Sequence, residues 1–394
     1  MGTTAIQQSG SVSVSSVKVF AKPPIPWLSW MGLAASAAIA SGVYWDISWH
    51  ESIGRDSFWT PAHLLIQFGA VLAGLASSWV IFRTTFAGDP AARQSTVNVL
   101  GFRAPLGAFI LAWGAVGMLT SAPFDNWWHN AYGLDVKIVS PPHMLLALGI
   151  FGINWGAAFI TVAKLNRAEG EERRRFEYLL LLTGGFILIQ SQLLKLEFTN
   201  KVMLHNGVSY LVIRIGLLFF LEAVARASGH RWARTIITGT YTLFCLVGLW
   251  TMPLFPAQPK LGPVYQQITH MAPLPFPLLL AAPGFLLDLI WPLMKDASRW
   301  LQSLVAGVGF LGTFIAVEWP FATFLMSPLA RNRFFAPNIY PYFARPDLPE
   351  VRHVFFPPDP AARFAWLMAF AFAVSIFSMW LGTVFGDWLK RVRR

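Results

Sequence analysis

The side chains of this chain best suited to chemistry are four aspartates and four histidines gathered in two short segments. The first, "YWDISWHESIGRDSFWTPAH" (44–63), carries Asp46, His50, Asp56 and His63; the second, "FDNWWHNAYGLDVKIVSPPH" (124–143), carries Asp125, His129, Asp135 and His143. Successive spacings are 4, 6 and 7 residues in the first segment and 4, 6 and 8 in the second. An Asp and a His four residues apart stand on one helical face, one turn from each other. A further His arriving from the start of the next element completes a three-point site. Asp46, His50 and His63 form one such set, and Asp125, His129 and His143 the other. Two imidazoles and a carboxylate leave coordination positions open for water, dioxygen or substrate, and they suit copper, zinc or non-haem iron better than magnesium or calcium. Ligating imidazoles also need an outer partner on the second ring nitrogen. Asp56, with Arg55 beside it as a salt-bridge partner, serves either as a ligand or outer partner of this kind or through hydrogen bonds that fix its loop; the outer role is the one given to it, and Asp135 is its counterpart.

The elements that must position these groups are membrane helices. Of 394 residues 55% are hydrophobic and only 12% charged, where a soluble domain carries about a quarter charged residues. Apolar runs long enough to cross the hydrocarbon layer number about ten, including 27–45, 208–225 and 275–293. The expected fold is therefore all-α, a polytopic transmembrane helix bundle of about ten spans with both termini cytoplasmic. The net charge of +11 does not point to nucleic acid, because Lys and Arg concentrate in alternate loops such as "KLNRAEGEERRR" (164–175) and the terminal "KRVRR". That alternation is the positive-inside signature, and it places both Asp/His segments on the opposite, periplasmic side of a bacterial inner membrane.

Three regions follow. Residues 1–24 read as a polar cytoplasmic tail. Residues 25–165 hold two similar units, each an apolar span, an Asp/His connection and a second span opening at a Pro and a His, offset by about 80 residues. Residues 166–394 form a second transmembrane half that includes a Pro- and aromatic-rich loop, 319–361, expected against the membrane surface or a partner subunit.

The spacing Asp-x3-His-x12-His with its "RD…TP-x-H" ending resembles the C subunit of the copper-dependent membrane (particulate) monooxygenases that oxidise methane or ammonia. In that family one copper site uses an Asp and two His at this spacing, and a second uses an Asn and two His at four and fourteen residues. The resemblance covers about residues 25–165 and maps the first site onto Asp46, His50 and His63, and the second onto Asp125, His129 and His143. Asp125 stands where the family has Asn, the chain is much longer than that subunit, and it carries no cupredoxin-like domain. The resemblance implies copper, dioxygen activation and hydroxylation of a small apolar substrate or ammonia.

Electrons must then come from an external donor such as a quinol, since no haem or flavin motif is visible. Trp45, Trp49, Phe58, Trp59, Trp127 and Trp128 are expected to line a dry apolar pocket. A reading from another class is a metal-handling or metal-transport protein with two Asp/His sites, and a third is a scaffold whose sites are structural. The single cysteine, Cys245, rules out an intramolecular disulfide and leaves thiolate clusters without ligands. No phosphate loop, nucleophile elbow or HExxH motif is present. Elsewhere, Arg214 and Glu222 are expected on one face of a continuous span, and Glu197, His205, His270, Asp288, Glu318, His230 and His353 as loop or interhelical polar residues.

Overall fold

The computed structural model describes residues 26–54, 58–87, 95–133, 140–196, 205–260, 268–325, 327–330, 332–335 and 359–394. Arg55, Asp56, Asp135, Glu197, His353, the tail 1–24 and most of the 319–361 loop lie outside them. The described residues are almost entirely helical. In chain order the helices are α1 (Trp27–Ser52), α2 (Pro61–Phe86), α3 (Leu106–Tyr132), α4 (Pro141–Leu165), α5 (Gly170–Leu193), α6 (Gly207–Arg214), α7 (Leu217–Ser228), α8 (Ala233–Thr251), α9 (Ala281–Ile290), α10 (Arg299–Leu325) and α11 (Ala361–Leu389). Eight segments among the described residues are long and apolar enough to cross a membrane, with α6 and α7 together making one of them. α1 is 26 residues long but is not among the eight; its Ser, Gly and Trp content lowers its hydropathy.

The first four helices form two antiparallel hairpins, α1 with α2 and α3 with α4, joined face to face through α2 and α3. Glycine lets the backbones approach. A Cβ on Gly114 would stand 2.5 Å from Ile153 N and 2.8 Å from Gly149 O, and one on Gly42 would stand 2.6 Å from the Ile66 side chain and 3.1 Å from Ala62 O. Close approach at small residues is how helices associate where lipid removes the hydrophobic drive. Helices α1 and α4 then pack on α5, while α11 lies across α6, α7 and α10 and closes the second half. One small sheet interrupts the helical pattern: Val97–Val99 pairs antiparallel with Phe102–Ala104. Its two-residue turn has positive φ at Leu100 and Gly101, the geometry that matches the strands' twist.

Two expected spans take a different form. The run near 208–225 is not one helix: α6 stops at Arg214, and Gly216 in the left-handed region (φ 75°) starts α7 on a new axis. Arg214 and Glu222 therefore do not share a continuous helical face, and Glu222 pairs instead with Arg234 at 2.7 Å. The run 275–293 is non-helical up to Leu280 and helical only from α9 onward, which a 3-10 turn over Trp291–Met294 extends. Prolines 273, 275 and 277 account for this, because each lacks an N–H and pushes the residue before it out of the α region.

The non-helical stretch is largely buried, so its remaining N–H groups need internal acceptors. Side chains supply them. Ala272 N donates to Ser52 Oγ (2.7 Å), Leu274 N to Tyr44 Oη (3.2 Å), Leu278 N to Tyr241 Oη (3.3 Å) and Leu279 N to Glu318 Oε2 (2.8 Å).

Candidate metal centre

Both Asp/His sets lie where a helical hairpin closes. Asp46 and His50 sit in the last turns of α1 and His63 in the first turn of α2; Asp125 and His129 end α3, and His143 opens α4. The entry to each second helix is built alike. Thr60 and Ser140 hold extended backbone at the N-cap, and Pro61 or Pro141 begins the helix, a position where the missing proline N–H is no loss. The basic residues Arg83, Lys164, Arg167, Arg173, Arg299 and Lys390 fall at the opposite ends of these and neighbouring helices.

The structure brings each trio together. Asp46 Oδ1 lies 3.2 Å from His63 Nε2, and its Oδ2 lies 3.9 Å from His50 Nε2. In the second set Asp125 Oδ2 lies 3.2 Å from His129 Nε2 and Oδ1 3.8 Å from His143 Nε2. Each carboxylate thus stands between two imidazoles, and in both sets one separation is short and the other long. The side chains are a fifth to a half exposed, so the sites open at the end of the bundle rather than within it.

Hydrogen bonding sets the chemistry of the imidazoles. His129 Nδ1 lies 3.4 Å from Gly133 O, a carbonyl that only accepts. This contact favours the tautomer with the proton on Nδ1, which leaves the lone pair of a neutral His129 on Nε2, facing Asp125. Two lone-pair atoms so placed require a cation or a proton between them. His143 Nδ1 lies 2.9 Å from Ser140 Oγ, which turns its Nε2 toward the same carboxylate. Asp46 Oδ1 and Asp125 Oδ1 are both buried and accept no hydrogen bond. Their neighbours are the imidazole nitrogens of His63 and His143, and a buried oxygen without a hydrogen bond costs about 1–3 kcal/mol.

These observations test whether a transition metal fits. Bonds of about 2.0–2.2 Å to nitrogen and oxygen place neighbouring donors roughly 3 Å apart. The two 3.2 Å contacts already meet that spacing; the 3.8 and 3.9 Å contacts need His143 and His50 to close by several tenths of an ångström. As they stand, no group of three or more His, Cys, Asp or Glu among the described residues is closed to metal-holding geometry. The donor set and the two buried carboxylate oxygens that accept no hydrogen bond fit a metal after that small closure.

Ser140 and Gly133 are the partners that residue spacing alone did not pick out. Their signals were present in the sequence: a hydroxyl three residues before each Pro-side histidine (Thr60, Ser140), and a glycine four residues after His129. The outer role expected of Asp56, Asp135 and Arg55 lies outside the described residues.

The dry aromatic pocket is not what the structure holds. Trp59 is 73% exposed, and Phe58 and Trp127 are exposed as well. Phe124, Trp127, Trp128 and Tyr132 instead pack against one another at the end of α3, as residues of an interfacial aromatic belt do. Trp45 and Trp49 remain partly buried.

The other polar residues belong to separate structures. His205 stacks on Trp319 and meets its carbonyl at 2.9 Å; burial lowers its basicity. His270 contacts Thr269, Asp288 pairs with Arg234, and the His230 ring accepts from Trp232 N. Comparison with protein families, characterised proteins and solved structures gives no match for this chain.

Proposed function

We propose that the chain is a copper-binding monooxygenase of the membrane, or a subunit of one, that activates dioxygen to hydroxylate a small apolar substrate or ammonia. The observation that carries this reading is the duplicated trio: two carboxylates, each between two imidazoles, each with a buried oxygen that accepts no hydrogen bond. The resemblance of residues 25–165 to the C subunit of the particulate methane and ammonia monooxygenases adds the identity of the metal and of the reaction. Among divalent first-row ions copper binds nitrogen and oxygen sites most tightly, with iron and zinc as the alternatives.

Asp46, His50 and His63 would hold one ion, and Asp125, His129 and His143 the other. A copper ion held there would supply the redox chemistry that dioxygen activation needs. The chain's own residues do the rest. Gly133 O keeps the His129 Nε2 lone pair directed inward, Ser140 orients His143, and each aspartate offsets charge that two neutral imidazoles cannot. Asp125 in place of the family's Asn makes the second site one charge more negative, which favours a divalent state. Electrons come from a donor outside the chain such as quinol, and partner subunits or a second copy complete the enzyme. The sites would face the periplasm, opposite the basic helix ends.

The transport reading finds less support. A conducting path needs polar groups lined up through the bundle, yet the hydroxyls of Ser36, Ser77 and Thr161 in α1, α2 and α4 bond back to carbonyls of their own helices. The test is oxygen uptake by copper-loaded membranes given a reduced quinol and a short alkane or ammonia. Uptake with stoichiometric oxidised product, absent from the His50→Ala/His129→Ala double variant, is the expected result. Metal loss in that variant with unchanged product would remove the enzymatic reading and leave a metal-handling one.

A further inference from the structure

The break between α6 and α7 holds the least satisfied charge in the described residues. Arg214, the last residue of α6, has no exposed surface, and its Nε, Nη1 and Nη2 make no hydrogen bond. Phe310 and Phe314 lie 5.1 and 4.5 Å from its guanidinium carbon. Their faces attract the cation but accept none of its five N–H groups in the plane. One turn earlier on the same face, the Tyr210 hydroxyl is also buried without a hydrogen-bond partner.

Elsewhere this chain pairs a buried arginine fully. Arg234 meets Glu222 through two nitrogens at 2.9 Å each and Asp288 through a third at 3.1 Å. Arg214 has no such pair. The carboxylate in its electrostatic reach is Glu318, whose Oε2 is already engaged by Leu279 N.

Cations outnumber carboxylates at the break: Glu318 is the carboxylate in reach of Arg214 and Tyr210, and the carbonyl end of α6 is already occupied by a lysine. Lys195 Nζ donates to Ile213 O and Ile215 O at the end of α6 (3.3 and 2.8 Å). Burial first, and then the nearby Arg214, push its ammonium down to about 7. On the far side of the break, the first turn of α7 contributes N–H groups without helical acceptors and the positive end of a helix dipole. Discontinuous membrane helices place charged ligands at such breaks, and an ionisable side chain inside a membrane bundle ordinarily marks a functional site.

We propose that the break binds a small inorganic anion of chloride size, held by the Arg214 guanidinium and the Tyr210 hydroxyl. Because Arg214 is completely buried with two phenyl rings beside it, a halide-sized species is proposed rather than a phosphate or a lipid headgroup. The site is separate from the Asp/His trios and does not depend on what they bind.

The test uses the full chain in detergent, with thermal unfolding followed in sodium chloride and in sodium gluconate at equal ionic strength. Binding to the folded state raises Tm with the logarithm of chloride above its dissociation constant. The expected result is a saturable onset of that rise in wild type, its loss in Arg214→Gln, and a several-fold higher half-point in Tyr210→Phe. The conservative tyrosine variant keeps the ring packing, so it decides the matter if Arg214→Gln does not fold. Equal Tm in the two salts for wild type, as water alone in the break would give, overturns the proposal. So does an unchanged chloride half-point in both variants, or in Tyr210→Phe alone where Arg214→Gln fails to fold.

Discussion

At the residue scale the two trios are near copies whose differences are informative. The carboxylate leans toward the Pro-side histidine in the first set and toward the helix-mate histidine in the second. The extra residue between His129 and His143, against His50 and His63, runs parallel to that shift. Ser140 is the most testable of the residues around the metal ligands, because its hydroxyl contacts only the non-ligating nitrogen of His143 in the proposed arrangement. Outer hydrogen bonds of this kind change metal affinity by about 10–100-fold. Ser140→Ala is therefore expected to weaken copper at the second site by that factor and leave the first site unchanged. A chelator competition titration reads both affinities, and equal affinities in wild type and variant would show that the Ser140 contact does not set metal affinity.

At the element scale, the second half of the chain acts on the first site through α1. That helix has two working faces in its last turns. Asp46 and His50 face His63, while Tyr44, Ser48 and Ser52 hold the proline-rich stretch: Ser48 Oγ donates to Ala272 O, and Ser52 Oγ accepts from Ala272 N. Lys260 N adds a bond to Ile53 O at 2.9 Å. The C-terminal end of α1 is thus fixed from behind by a non-helical segment more than 200 residues away in sequence. Ser52→Ala leaves the buried Ala272 N–H without its acceptor, at a cost of about 1–3 kcal/mol. The expected outcome is a lower Tm in detergent together with weaker metal binding at the first site only; a lower Tm with both sites unaffected would separate α1 anchoring from site geometry.

This element also marks where sequence reading stopped. The grouping of the two Asp/His trios was legible because Asp and His at helical spacing are rare beside apolar spans and the pattern occurs twice. The two hairpins were legible from the same repeat. Tyr44, Ser48 and Ser52 were not, because serines and a tyrosine in an apolar helix look the same whether they bond to their own backbone or to a distant segment. The broken helix at Gly216 and the non-helical run before α9 were read as spans because hydropathy registers apolar length and not backbone conformation. Their punctuation, Arg-Ile-Gly at 214–216 and the alternating prolines, carried the information that composition averaged away.

At the scale of the whole molecule, the architecture divides labour. Helices α1–α4 present both trios at one end of the bundle, and α5–α11 brace them and carry charge in paired networks, with the α6–α7 break as the exception. Arg226, Arg299 and Lys390 converge on Asp387, where neighbouring cations hold the end of α11 in place. Asn166 bonds to Leu389 O and Val392 O, tying the end of the first half to the end of the chain. At the other end of the bundle, each trio is proposed as an independent metal site. Copper per chain, measured by elemental analysis of purified protein for wild type, His50→Ala, His129→Ala and the double variant, tests it most directly. The expected series is two ions, one, one and none, with paramagnetic resonance of the single variants giving two distinct copper signals. An equal metal content in wild type and the double variant, or no copper in any of them, would contradict it.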